Sequence, residues 1–101
     1  EAPGFVCEVI DSFFLTAEEN LLRMNAAIER GDLDALRIAA HMVGGGGQQL
    51  GAWRVGATCT KLENIVSVEH ATPIVQDHRE HLEGAREALT GLANRALDAA
   101  S

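Results

Sequence analysis

Positive charge is scarce in this chain. Eight Lys and Arg face 15 Asp and Glu, a formal net charge of −7. That balance argues against nucleic acid as a partner and against direct contact with an anionic membrane, because both are met by basic surfaces. Long apolar runs are lacking too. No stretch approaches the ~18–20 residues of a membrane span, and no basic-then-apolar signal segment opens the chain, so a cytoplasmic location is expected. Tyrosine is absent, β-branched runs are few, and apolar and polar residues nowhere alternate for long, which removes the usual signals of a sheet. Cysteine occurs twice, at Cys7 and Cys59, each among apolar neighbours. These read as reduced core thiols and not as a disulfide or a metal site. An initiator methionine is also missing, and the start at Glu1 suggests a segment of a longer protein.

Apolar residues make up 47% of the chain and charged residues 23%, an ordinary globular balance. A length of 101 residues suits one domain, residues 1–101, with a single modest core. Helical periodicity is strong. Val6, Val9, Ile10, Phe13, Ala17, Leu21, Met24 and Ile28 recur at intervals of three and four and predict one helix over about 4–30. "RGD" stops it, with Gly31 as the left-handed residue past the end and Asp32 as the next N-cap. Leu33, Leu36, Ala40, Val43, Gly47 and Leu50 form a second seam; Ala52, Val55, Cys59, Leu62 and Val66 form a third. "SVEHATP" reads as a loop, with Thr72 as N-cap and Pro73 at the first helical position. Val75, His78, Leu82, Ala85, Leu89, Leu92 and Ala96 mark a last helix to about residue 99. Short connections make consecutive helices antiparallel neighbours, so the expected fold is all-α, an up-down-up-down four-helix bundle.

Within the second helix stands "AAHMVGGGGQQLGAW", residues 39–53. Each mid-helix glycine costs roughly 0.5–1 kcal/mol relative to alanine, and a frayed end should be followed by a loop, yet Leu50 continues the seam. His41 lies about 130° from the centre of the apolar stripe and so faces outward. Its neighbours on that face are Ile38, Gly44, Gly45 and Gln48. If the second and third helices reverse near Gly51, residue 41 comes level with about residues 61–63. Glu63 sits roughly 60° off its own stripe, able to lean toward the second helix. A carboxylate there would accept a hydrogen bond from Nδ1–H of His41, leaving Nε2 outward as a nucleophile and stabilising an imidazolium.

At these residues the sequence resembles the histidine-containing phosphotransfer (HPt) domain family, the intermediates of phosphorelays. The family pattern runs approximately A-H-x-L-K-G-[SA]-[SA]-x-x-L-G-A, followed by a cysteine and L-E on the next helix. Here the chain reads "AHMVGGGGQQLGA" and then "CTKLE", and the upstream "FFLTAEENLLRMNAAIERGDLDALRIAAH" is similar to the family's approach to its histidine. The resemblance covers residues 5–66, and the last helix matches in pattern only. It implies that His41 accepts a phosphoryl group from a receiver-domain aspartate and passes it to another receiver, with Glu63 orienting the imidazole. It also implies that Gly45 lets the receiver approach, that Mg²⁺ belongs to the receiver and that the domain needs no cofactor of its own. The partners implied are response-regulator receiver domains, with the module either free-standing or attached to a hybrid sensor kinase. Where the family commonly has lysine three residues after the histidine, this chain has Gly44, which leaves Arg37 as a candidate substitute cation.

On this reading the glycines clear an approach path. Gly44 and Gly45 open the face, Gly47 lets the second helix pack close to Gly56, and Ile38 and Met42, with outward-phased Leu15 and Leu22, form the apolar rim that a receiver buries. The docking set is thus Ile38, Met42, Gly44, Gly45 and Gln48. The glycine run is no nucleotide loop, since no Lys-Ser/Thr follows and no strand precedes it, so the domain is expected to be no kinase and no ATP-dependent enzyme. His78 and His81, with His70 and Glu80 near them, make a weak metal set; His78 lies on the seam and reads as a core histidine. Trp53 reads as a packing residue that caps the bundle. The rival functional class is a docking module that binds a receiver or another protein through the same face without transferring phosphate.

Overall fold

The structure, a computed structural model, describes the backbone of residues 2–49 and 52–100, and their side chains except at 2–6, 48, 49, 96, 97 and 100. The first break in the chain falls at Gly31, whose φ of +68° lies in the left-handed region where a Cβ is penalised. Its N–H donates to the Ile28 carbonyl at 3.1 Å, and the Asp32 N–H donates to Ala27 at 2.8 Å, closing the helix end. Asp32 then caps the next helix, Oδ1 accepting from the Ala35 N–H at 3.0 Å. This two-residue joint separates α1 (Ala2–Arg30) from α2 (Leu33–Gln49). Further on come α3 (Trp53–Glu63), a 3₁₀ turn at Val68–His70 and α4 (Ala71–Ala100). The described residues are all-helical and contain no strand.

α1 packs on α2 and α4, α2 on α3, and α3 on α4, so the core lies between the four. At ~1.5 Å per residue, the 29 residues of α1 and 30 of α4 account for a long axis of 50 Å against 17 and 16 Å across. One apolar cluster joins Ile10, Phe14, Ala17, Val43, Val55, Cys59 and Leu82; another joins Met24, Ala27, Leu36, Ala40, Leu62, Ile65 and Val75. Both cysteines are free, Cys59 buried and Cys7 half-buried. No helix among the described residues is long and apolar enough to cross a membrane.

Several expectations need correction. The buried face of α1 is turned relative to the expected stripe: Phe14 and Asn20 are inside, Phe13 is only half-buried and Val9 is exposed. A helix with neighbours on two sides buries a broad face and not a single line. The side chains of Val6 and Ala96, and residues Leu50 and Gly51 altogether, lie outside the described residues. Val66 is exposed because α3 has already ended at Glu63. α4 begins at Ala71 and not after Thr72; the preceding 3₁₀ turn is capped by Ser67, whose Oγ accepts from the Glu69 N–H at 3.2 Å. Pro73 still falls in the first turn, where a missing N–H costs nothing. Leu92 is exposed while Ala93 is buried. α3 starts at Trp53, beside Gly84 and Ala85, and further along α4 the covering side chains among the described residues come from α1, with Cys7 and Ile10 against Ala93. Trp53 itself is 73% exposed and so is not the buried cap expected; as the first residue of α3 it lies roughly 160° around the helix from Val55.

Candidate functional site

His41 and Glu63 are brought together by the α2–α3 hairpin. His41 Nδ1 lies 2.8 Å from Glu63 Oε1, with the histidine side chain 80% exposed and the glutamate 33%. A carboxylate only accepts, so Nδ1 carries the proton of the bond and Nε2 is left as the basic nitrogen. The imidazole is therefore held at one edge and open at the other. Register makes this possible: Gly44 faces Cys59, and Gly47, one turn further along α2, faces Val55 and Gly56, one turn back along α3.

The four glycines do different things. A Cβ on Gly45 would meet nothing within 4 Å, so this position opens to solvent beside His41. Gly44 does not share that openness. It is buried, and a Cβ there would sit 3.4 Å from Cys59 Cβ and 3.7 Å from Glu63 Oε2. The expectation that Gly44 clears the outer face is thus wrong; it lets α2 approach α3 where Glu63 reaches across. Gly46, which the sequence did not single out, would place a Cβ 2.8 Å from Phe13 Cδ1, so its lack of a side chain seats the Phe13 ring. Gly47 would place one 3.2 Å from Val55 Cγ1 and 3.5 Å from the Gly56 nitrogen, which agrees with its expected place on the core seam.

Two apolar side chains of α2 within one turn of His41 are exposed. Ile38 is 61% exposed and Met42 54%, and Leu15 and Leu22 also face outward. Ile38 and Met42 line a groove between α1 and α2 together with Asn20, Arg23 and Arg30. Gln48 belongs to α2, but its side chain lies outside the described residues. Arg37 is committed elsewhere: its Nε donates to the Ile65 carbonyl at 3.0 Å and one terminal nitrogen donates to the same oxygen. It is therefore not a free cation beside His41. This contact spans 28 residues and had no local sequence signal.

The remaining polar core meets the site at Cys59, which Gly44 faces. His78 is fully buried, its Nδ1 3.2 Å from Thr58 Oγ1 and 3.9 Å from Cys59 Sγ. Burial, and secondarily the neighbouring His81, lowers its pKa to about 4, so it is neutral. Burial, aided by the Glu63 carboxylate, pushes the Cys59 thiol up to about 12 and keeps it protonated. No group of three or more His, Cys, Asp or Glu among the described residues is placed to hold a metal ion.

A family model described as "Hpt domain" matches residues 8–99. No curated protein and no solved structure matches the chain significantly.

Proposed function

We propose that this chain, which belongs to the Hpt domain family of phosphorelay histidine-phosphotransfer modules, carries its phosphoryl group on His41 and relays it between receiver domains. The observation that carries the reading is the exposed imidazole whose Nδ1 is tied to Glu63 at 2.8 Å. Nε2 attacks the phosphorus of a receiver's aspartyl phosphate in line, the N–P bond forms as the P–O bond to the aspartate breaks, and the aspartate leaves as a carboxylate. No proton need move, because Nδ1–H stays on the ring and the imidazolium that results is stabilised by the Glu63 carboxylate. The reverse sequence delivers the group to a second receiver. The reading assigns Mg²⁺ and the acidic catalytic residues to the receiver, leaves the module without kinase activity of its own and places it in the cytoplasm.

The same reading takes residues 1–101 as one antiparallel up-down-up-down bundle. Phe13 meets Gly46 while Met24 and Ala27 share a cluster with Leu36 and Ala39, which supports opposite directions for α1 and α2. The receiver docks over Ile38, Met42, Gly45 and Gln48. Gly45 gives it open backbone, Gly44 contributes through the close α2–α3 approach, and the groove carrying Arg23 and Arg30 has no acidic lining residue. One observation favours the rival docking-only reading: with Gly44 in place of a lysine and Arg37 bound to Ile65, α2 offers no free cation one turn either side of His41. Incubation with a phosphorylated receiver decides between them. Acid-labile, base-stable label on this chain is expected; retained binding without label would leave docking alone.

A further inference from the structure

We infer that Arg37 is a positioning residue for the imidazole, acting through the end of α3 and not through the phosphoryl group. Glu63 is the last residue of an eleven-residue helix, and helix ends leave their carbonyls without intrahelical partners. The usual device for closing such an end, a glycine in the left-handed region, is missing. Asn64 holds the cap position at φ −101°, ψ 2°, and the Ile65 N–H returns to Leu62 at the long distance of 3.4 Å. Asn64 closes the helix itself, its backbone N–H and Nδ2 donating to the Thr60 carbonyl at 3.2 and 2.9 Å, while the segment beyond it returns to α3 through that one long bond at Ile65.

Arg37 ties that segment to α2. It sits on α2 one turn before His41, and two N–H groups on one edge of its planar guanidinium converge on the Ile65 carbonyl oxygen, which has two lone pairs to receive them. Ile65 is 7% exposed, so its carbonyl would otherwise be starved of partners in a mostly apolar surrounding. The contact ties residue 37 of α2 to residue 65, just past α3, while His41 and Glu63 make the next contact inward. Two cross-links one turn apart fix both the separation and the rotation of the helix end. Glu63 is then presented to Nδ1 in one geometry. A single contact at 41–63 would leave the carboxylate free to swing.

The inference concerns the same site as the proposed phosphotransfer, but its test reads the unphosphorylated protein, so either idea can fail without the other. The probe is the ¹⁵N spectrum of ring-labelled histidine, which reports the share of His41 carrying its proton on Nδ1. Arg37→Met keeps the side chain's apolar stem and removes both donors. A several-fold fall in the ratio of Nδ1–H to Nε2–H at His41 is expected, with helical content retained. In a Glu63→Ala background the same substitution should leave the ratio where Glu63→Ala alone puts it, because Arg37 acts only through Glu63. Arg37→Lys, one ammonium in place of the fork, should give an intermediate ratio and also decides the matter if the methionine variant does not fold. A parental ratio in a folded Arg37→Met or in Arg37→Lys, or an additional fall on the Glu63→Ala background, would overturn the inference.

Discussion

His78 shows how a single buried side chain ties stability to pH. It hydrogen-bonds Thr58 through Nδ1, while Nε2 has no partner. Thr58 can donate its one hydroxyl proton to the Arg54 or Val55 carbonyl, at 3.1 and 3.0 Å, which makes His78 Nδ1–H the donor to Oγ1 and leaves the Nε2 lone pair facing the core. The folded-state pKa of about 4 lies below the ordinary histidine value of 6.5. Between those two values the unfolded chain binds a proton that the folded one refuses. Stability from this group is complete above about 6.5 and falls progressively as the pH drops toward about 4. Urea midpoints measured across that window should decline, and His78→Leu should flatten the decline; equal slopes in both proteins would show that His78 is not the cause. At Cys59 the pushed-up pKa predicts slow alkylation in the native state, with Cys7 reacting first.

At the scale of the element, α2 carries a glycine run whose members face four different surroundings. Propensity alone treats them alike, each costing about 0.5–1 kcal/mol against alanine. Packing separates them. Gly45→Ala should raise stability by that amount, since nothing lies within 4 Å. Gly46→Ala should lower it by about 1–3 kcal/mol, because the new methyl overlaps the Phe13 ring and Phe13 is stacked edge-on against Phe14 at 4.8 Å. Thermal melts of the two variants give opposite signs on this account; two stabilised variants would mean Phe13 can move aside freely. Gly45→Gln adds a functional arm, being expected to stabilise the helix yet slow transfer from a receiver while sparing reaction with phosphoramidate.

These elements also show what could be read from the sequence. The joint at Gly31–Asp32 is legible from local chemistry, and the seams of α2 and α3 set their mutual register and with it the level at which Glu63 approaches His41. Rotations about helix axes were less legible. The burial of Phe14 in place of Phe13, the inward position of Gly44 and the exposure of Trp53 depend on which neighbours cover each face. That is a property of the assembled bundle, as is the bond from Arg37 to a main-chain oxygen.

As a whole the molecule is a rod 50 Å long with an excess of negative charge, and its exposed apolar residues near His41 interrupt that charged surface. Ile38 contributes little to the core at 61% exposure. Ile38→Glu should therefore leave the melting temperature nearly unchanged while weakening receiver binding on the order of tenfold or more, as expected for an apolar anchor replaced by a charge. Calorimetric titration with a receiver checks it, and unchanged affinity would move the docking face away from α2. The central claim is narrower: one nitrogen of one histidine carries the phosphoryl group. Its most direct test is ³¹P–¹⁵N coupling in the phosphorylated, histidine-labelled protein, with His41→Gln as the control. The account predicts a single phosphohistidine, bonded through Nε2 of His41 and absent from the variant. A phosphoryl group on Nδ1 of His41, or on His70, His78 or His81, would contradict it.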